Sequence, residues 1–547
     1  MAVDVQALLQ RLDDLRADRG TFDAQWEEAA QRLIPAHVST FFGRGEPKNQ
    51  GRKNTEVMYD ATAALALQRF SAVIESLATP QGQTWHRLMP SDPALRRNRQ
   101  VRLFLDEVNR LLFRFRYLTR ANFVAQSQKA YLNYGAYGNG LLLVDEPEGF
   151  DGLRYKNLHL GNTYLMENHE GRVDGIFRVV QMRPREIVQK YGPDGNVPKE
   201  IMEAAGIPSK TSETHEVLHA IQPREDFDPH RKDSKGLPFM SVHVLTKTNT
   251  VLRESGYATF PAALARYTQF ENETYGRGPA QIVLPSIKVL NEQKKTLLKQ
   301  GHRTVDPVLL THDDGAMDSF SMKPGALNTG GVNADGRPLV HTLPTGRVDI
   351  GQELMNDERA VINDAFLISL FQILVQDNSR MTATEVLERA REKGMLIAPT
   401  TGRLQAEFLG PMIEREVEVL ERQNLLPEVP PALAEAGGAF EIEYDAPMSR
   451  IARAENAAGF MRSLDTALQL VQATQDPSPL DWFNFDAAMP AIQDINGSPI
   501  EWTNTPEQVE ALRQARQQQQ QQQQLLEQAP ALASAAETAS GLAEDDG

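Results

Sequence analysis

A chain of 547 residues is too long for one hydrophobic core and must divide into several domains. Its 41% apolar and 24% charged residues are those of a folded protein, no apolar run approaches the roughly 18 residues of a membrane span, and the N-terminus lacks a signal-peptide apolar core. The absence of cysteine excludes disulfides and thiolate-held metals, and a formal charge of -16 argues against tight, extended gripping of nucleic acid while suiting a surface that must not stick to it.

The N-terminal part reads as helical. Leu8, Leu9, Leu12 and Leu15 alternate with charges over residues 3–16, and a second helix runs from Phe22 to Leu33, ending before Pro35. The polar stretch from Gly43 to Thr55 carries glycines and basic residues, but neither the spacing nor the Gly-Lys-Ser/Thr ending of a phosphate-binding loop. An alanine-rich helix follows over 55–77, Trp85 sits in a short extended run, and further helices span 99–115 and 121–134. At Gly135–Gly140 the pattern changes. Short apolar runs at 141–144, 153–158, 176–181, 217–221 and 240–245 predict strands of a small β-barrel or sandwich, interrupted by one helix from Pro184 to Tyr191 and closing near Tyr267.

Beyond Gly276-Arg277-Gly278-Pro279 the chain predicts a stalk. A first helix carries Ile287, Leu290, Leu297 and Leu298, with Lys288, Lys294, Lys295, Lys299 and Arg303 between them. A Gly/Pro-rich insert then precludes one regular element, and a second helix resumes through Leu354, Val361, Ile362 and Phe366. Gln376-Asp377-Asn378-Ser379-Arg380 forms a polar loop, and Thr382–Glu385 has the spacing of a capping box that opens a long helix kinked around Gly394 and 399–402. A strand at 440–444, a helix at 454–473 and a last helix from Pro506 follow. That helix runs into eight glutamines, Gln517 to Gln524, before a small-residue acidic tail predicted to be disordered.

The sharpest enzymatic motif is His215-Glu216-Val217-Leu218-His219, the spacing of a zinc hydrolase with Glu216 as general base. That chemistry needs a helix, whereas this stretch lies in β-rich sequence. On a strand His215 and His219 share one face and Glu216 takes the other. No third ligand is suggested nearby, so catalysis is the weaker reading. The stalk lysines read either as a solvated face or as a mild basic band that touches phosphates.

Several stretches in order carry a resemblance: Trp26-Glu27-Glu28-Ala29, Tyr59-Asp60-Ala61-Thr62, Leu77-Ala78-Thr79-Pro80, Tyr134-Gly135-Ala136, Tyr275-Gly276-Arg277-Gly278-Pro279 and Arg380–Val386. Over roughly residues 1–430 the chain resembles the portal, or head-to-tail connector, proteins of short-tailed, T7-like bacteriophages. The resemblance implies an α+β portal fold: a wing at 1–275 (helical to 140, β-rich from 141), stem helices at 276–304 and 348–371, and a clip at 305–347. A channel loop and long kinked helix would follow at 372–431, then a crown and acidic tail at 432–547.

It further implies a non-enzymatic ring, usually of twelve copies, that conducts double-stranded DNA at one capsid vertex of the virion after assembly in the host cytoplasm. Expected partners are the terminase large subunit, tail or adaptor proteins at the clip, and the major capsid, scaffolding and internal core proteins, with no cofactor, metal or membrane. The loop at Gln376, Asp377, Asn378, Ser379 and Arg380 would touch DNA, and Lys288, Lys294, Lys295, Lys299 and Arg303 would include the channel-facing charges.

Overall fold

A computed structural model describes residues 3–42, 55, 57–147, 149–192, 195–210, 212–311, 321–344, 349–368, 399–444, 447–495, 504 and 508–520. By compactness the chain divides into one unit up to Ser449 and a second from Arg450 onward.

The first unit opens with two amphipathic helices, α1 (Val5–Asp18) and α2 (Gly20–Leu33). Asp4 caps α1 by accepting from the Ala7 N–H at 3.1 Å, satisfying one of the first-turn donors. The alanine-rich helix α3 spans Thr62–Ala78, several residues later than its composition predicts, because Asp60 accepts from the Thr62 N–H and sets the start. α4 (Arg99–Arg116) and α5 (Phe123–Tyr137) match expectation closely. Trp26, Phe70, Trp85, Val101, Leu112 and Tyr131 join these helices in the main core.

The β-rich segment is neither a closed barrel nor a single sheet. β2 (Asn139–Asp145) lies between β3 (Arg154–Asn157) and β9 (Ala262–Arg266) in a three-stranded antiparallel sheet. Separately, β4 (Thr163–Glu167), β5 (Val173–Met182), β6 (His215–Pro223), β7 (Phe239–Leu245) and β8 (Thr250–Tyr257) form an antiparallel meander whose first and last strands do not pair, leaving it open. One face of the meander buries Phe177, Leu218, Val242 and Val244 against Leu8 and Leu12 of α1. The other buries Val217 and Leu245 under α6 (Pro184–Tyr191) and α7 (Lys199–Gly206), a helix that the sequence pattern did not reveal.

The stalk begins at the short α8 (Pro279–Ile282), runs through α9 (Leu284–Val305) and returns along α10 (Asp349–Ala365). Between them, β10 (Leu309–Thr311) pairs with β11 (Val340–Thr342), so the Gly/Pro-rich insert contains a short two-stranded ribbon. The predicted loop Gln376–Arg380 and the capping box at Thr382–Glu385 lie outside the described residues. From 399 the chain is helical, and the predicted break at 399–402 is absent. The irregularity falls later: a π-helical segment at Gln405–Leu409 precedes α11 (Gly410–Arg422). Pro411 has no N–H to offer the Glu407 carbonyl, and the Gly410 N–H reaches back five residues to the Gln405 carbonyl, which also accepts from the Tyr444 hydroxyl at 3.1 Å. After the short α12 (Pro431–Glu435), β12 (Phe440–Tyr444) pairs with β1 (His86–Pro90), a contact between residues some 350 apart in sequence.

The second unit is entered along α13 (Pro447–Thr474) and contains α14 (Phe485–Ile495). Phe460 meets Phe483 edge-on at 5.5 Å, and Asp486 pairs with Arg513. Ala467 is its one fully buried apolar side chain among the described residues, and Trp482 stands 91% exposed.

Candidate functional site

The stalk is rooted in a node built from the glycine-rich and aromatic stretches that stand far apart in sequence. At Gly138 the backbone turns with φ 75°, and a Cβ there would lie 2.4 Å from the Gly278 nitrogen, so two backbone segments touch where no side chain fits. Asn139 fixes the contact. Its side chain accepts from the Gly276 N–H at 2.8 Å and donates to the carbonyls of Gly276 and Tyr137, both at 2.9 Å. Trp26, wholly buried, donates from Nε1 to the same Tyr137 carbonyl at 3.1 Å and meets Tyr275 edge-on at 5.2 Å. Gln281 then reaches back to accept from the Gly278 N–H at 2.7 Å, which caps α8.

A second contact clamps both stalk helices to the start of α3. The backbone N–H groups of Tyr59 and Asp60 donate to Asn291 Oδ1 of α9 at 2.9 and 3.1 Å. The Asp60 carboxylate accepts from Arg359 of α10 at 2.7 Å. Burial opposes ionisation of Asp60, but hydrogen bonds from Thr62 and Arg359 outweigh it and hold the carboxyl below its usual range. Farther along, Gly351 lets α10 approach α9, with Leu297 3.3 Å from where a Cβ would stand.

A third node ties the later helices to the same core. Arg116 of α4 and Glu416 of α11 are both fully buried, and the guanidinium reaches both carboxylate oxygens, with Nε at 3.1 Å from Oε1. Tyr155 donates to the same carboxylate at 2.7 Å, and Trp85 covers the guanidinium at 4.6 Å. Burial works against Arg116, yet Glu416 and the surrounding groups raise its pKa.

These nodes contain Trp26, Tyr59-Asp60 and Tyr275 to Gly278, from three of the stretches that carried the resemblance. A family model described as bacteriophage head to tail connecting protein matches residues 5–502. The chain belongs to that family. Two relatives extend the match: a portal protein of Salmonella phage epsilon15, 27% identical over 544 residues, and a probable portal protein of Bordetella phage BPP-1, 28% identical over 550 residues. Each alignment covers 98% of this chain and 95% of the relative. The α+β architecture is that expected of a connector.

On α9 the five basic residues do not form one stripe. At about 100° per residue, Lys288, Lys295 and Lys299 fall within about 40° of one another, Arg303 borders them, and Lys294 points about 100–140° away from those three. Lys288 pairs with Glu28 of α2; Lys295 lies 3.4 Å from Glu292 and sits over the Tyr59 ring at 5.7 Å. Lys299 and Arg303 are exposed on the last turns. Ile282, at the end of α8, is 64% exposed, and a different face of α9 carries Val289, 44% exposed, and Thr296 at seven-residue spacing. A shallow groove of about 510 Å³ runs beside it, lined by Lys288, Val289, Thr296, Leu297 and Gly351 among others. Arg277 is engaged within the chain, paired with Glu273 and packed over Phe22 at 5.6 Å.

The His215–His219 motif lies on strand β6, and the pattern separates as strand geometry demands. His215 and His219 face α6 and α7, whereas Glu216 turns toward α1 and sits 3.5 Å from Arg16. A helix-borne zinc hydrolase site is therefore not formed there. Among the described residues no His/Cys/Asp/Glu group has the arrangement of a metal site, and no helix is long and apolar enough to cross a membrane. Sequence reasoning missed Asn139 and Asn291, single polar residues outside any periodic pattern. Asn139 stood between two glycines, the one local hint that backbone was to be held there.

Proposed function

We propose that copies of this connector close into a ring, of twelve subunits, whose axial hole conducts double-stranded DNA into the capsid during packaging and out of it during ejection. In this reading α9 and α10 form the channel wall, residues 305–347 the clip, 1–275 the wing, and 432–547 the crown. The observation that carries it is a stalk well anchored at its root that leaves Ile282 of α8 and Val289 of α9 exposed. Rotational closure covers these apolar positions with the next copy, while Lys299 and Arg303, exposed on the last turns of α9, turn to the lumen and Lys288 and Lys295 stay engaged with Glu28 and Tyr59 of their own chain. Lys294 falls outside that band. A sparse basic band in an otherwise acidic protein touches phosphates without halting a sliding duplex.

The role is structural rather than catalytic. Packaging energy comes from a separate terminase motor at the clip, later replaced there by tail proteins, with capsid, scaffolding and internal core proteins as further neighbours at the vertex. Residues Gln376–Arg380 form the narrowest part of the channel and retain DNA. Negative-stain images of the purified protein test the ring directly: rings with an axial hole are expected, and solid particles or monomers at high concentration would sink the proposal. Deleting 376–380 is expected to leave rings intact and lower the DNA content of particles; normal content would remove the loop from this role.

A further inference from the structure

The α6/α7 face of the five-stranded sheet gathers positive charge. Cross-strand register places Thr163, Arg178, His219, His243 and Arg253 side by side on β4 to β8. Residues directly opposite in antiparallel strands point to the same face, so this row is one continuous surface. His219 and His243 stack ring on ring at 3.9 Å and 10°, and His219 Nε2 meets the Ser241 hydroxyl at 2.9 Å. Lys190 on α6 and Arg178 stand close enough to act electrostatically on both histidines and on Lys156 of β3, which in turn acts on His219.

Among the described residues, Lys156, Arg178 and Arg253 form no ion pair, in a chain where acidic side chains outnumber basic ones by 73 to 57. Burial and then the nearby Arg178, Lys190 and Arg154 bring Lys156 down to about 8, so it remains mostly charged at neutral pH; Asp145 opposes this only weakly. Two polar atoms add an independent sign. His243 is 8% exposed and its Nδ1 has no hydrogen-bond partner, and Nε of Arg178 likewise has none. Unpartnered buried donors beside uncompensated cations are costly unless something anionic meets them.

We propose that this face is a phosphate-binding site, with Arg178, Lys156 and Arg253 supplying charge and the Nδ1 edge of His243 a hydrogen bond. A carboxylate offers two acceptor oxygens, whereas a phosphate presents oxygens in several directions and suits a site approached from four strands. The same chemistry comes from inorganic phosphate or from a phosphodiester of DNA. The second source rests on the DNA-conducting reading; the first stands without it.

Purified full-length protein, with variants Arg178→Gln, Lys156→Gln and the remote control Lys323→Gln, tests this by calorimetric titration with inorganic phosphate at constant ionic strength. A short random-sequence DNA duplex and polyglutamate are titrated in parallel. The native protein and Lys323→Gln are expected to bind phosphate. Each of the other two variants is expected to lose about tenfold or more, the worth of one charge-assisted hydrogen bond. Lys156 keeps an exposed side chain although packing partly desolvates its amine, so its variant reads binding even where Arg178→Gln unfolds. Duplex binding weakened in the same variants identifies the DNA backbone as the source; phosphate binding with unchanged duplex binding identifies the free anion. No phosphate binding, equal binding by Lys156→Gln and the native protein, or binding of polyglutamate alone would overturn the site.

Discussion

Gly138 and Gly325 both adopt positive φ, 75° and 80°, for opposite reasons. Around Gly138 every direction is filled by the chain itself: backbone of Gly276 to Gly278 against it, Trp26 and Tyr137 fully buried beside it. Around Gly325 there is open space, and its neighbours Met322 and Leu327 stand 61% and 91% exposed. The first region completes its packing within one copy. The insert at the end of the stalk holds a shape while leaving apolar groups uncovered, which is how a surface made for another molecule differs from a core.

That contrast can be broken at its strongest point first. Arg116→Ala leaves Glu416 charged in a dry core and is expected to cost about 3–5 kcal/mol, read from urea denaturation of the soluble protein. A cost below about 1 kcal/mol would mean the buried pair does not hold α4 to α11. Protonation tests the same interior. His86, His219 and His243 are pushed to low pKa by burial, His243 to about 3, so the folded state refuses protons that the unfolded state takes up below about 6.5. Their contribution is therefore complete above that pH and declines as pH falls, by up to about 1.4 kcal/mol per pH unit for each histidine. His86→Leu should flatten the decline of melting temperature between pH 6 and 4; an unchanged slope would show that His86 is not held neutral.

Smaller effects separate root from tip. Gly278→Ala puts a Cβ 2.7 Å from the Gly138 nitrogen and is expected to lower stability by about 1–3 kcal/mol. Asp60→Asn weakens the hold on Arg359 at a cost of about 1–2 kcal/mol, visible as faster amide exchange in α10 if the clamp is real. Leu327→Ser, at the tip, should change unfolding by less than about 0.5 kcal/mol and instead weaken association with whatever docks on the insert. A large loss of stability there would mean the insert has a core of its own.

How much was legible followed from how local each cause is. The periodic Leu8 and Leu12 announced α1, and the runs at 141–144 and 217–221 announced β2 and β6, because burial writes itself into spacing. β9, Ala-Ala-Leu-Ala-Arg, is buried at every position and reads as helix former rather than strand. The β1–β12 pairing depends on residues far apart, and no local signal joins His86 to Tyr444. The kink expected at 399–402 gave way to a π-helical segment at Gln405–Leu409, where Pro411 sits at a position that owes an α hydrogen bond. At the stalk, the helices and the basic residues were legible, but the separation of Lys294 from Lys288, Lys295 and Lys299 needed the helix phase. The roles of Asn139, Asp60 and Asn291 needed the partner backbone.

The hold of Tyr59 and Asp60 on both Asn291 and Arg359 has a mechanical side. Two rods gripped near one point by the same dipeptide cannot tilt independently without breaking either the amide bonds to α9 or the carboxylate bond to α10. A push at the far ribbon, about 21 Å along α9 from Asn291, is therefore delivered to the first turn of α3 as a torque rather than dissipated as sliding between the helices.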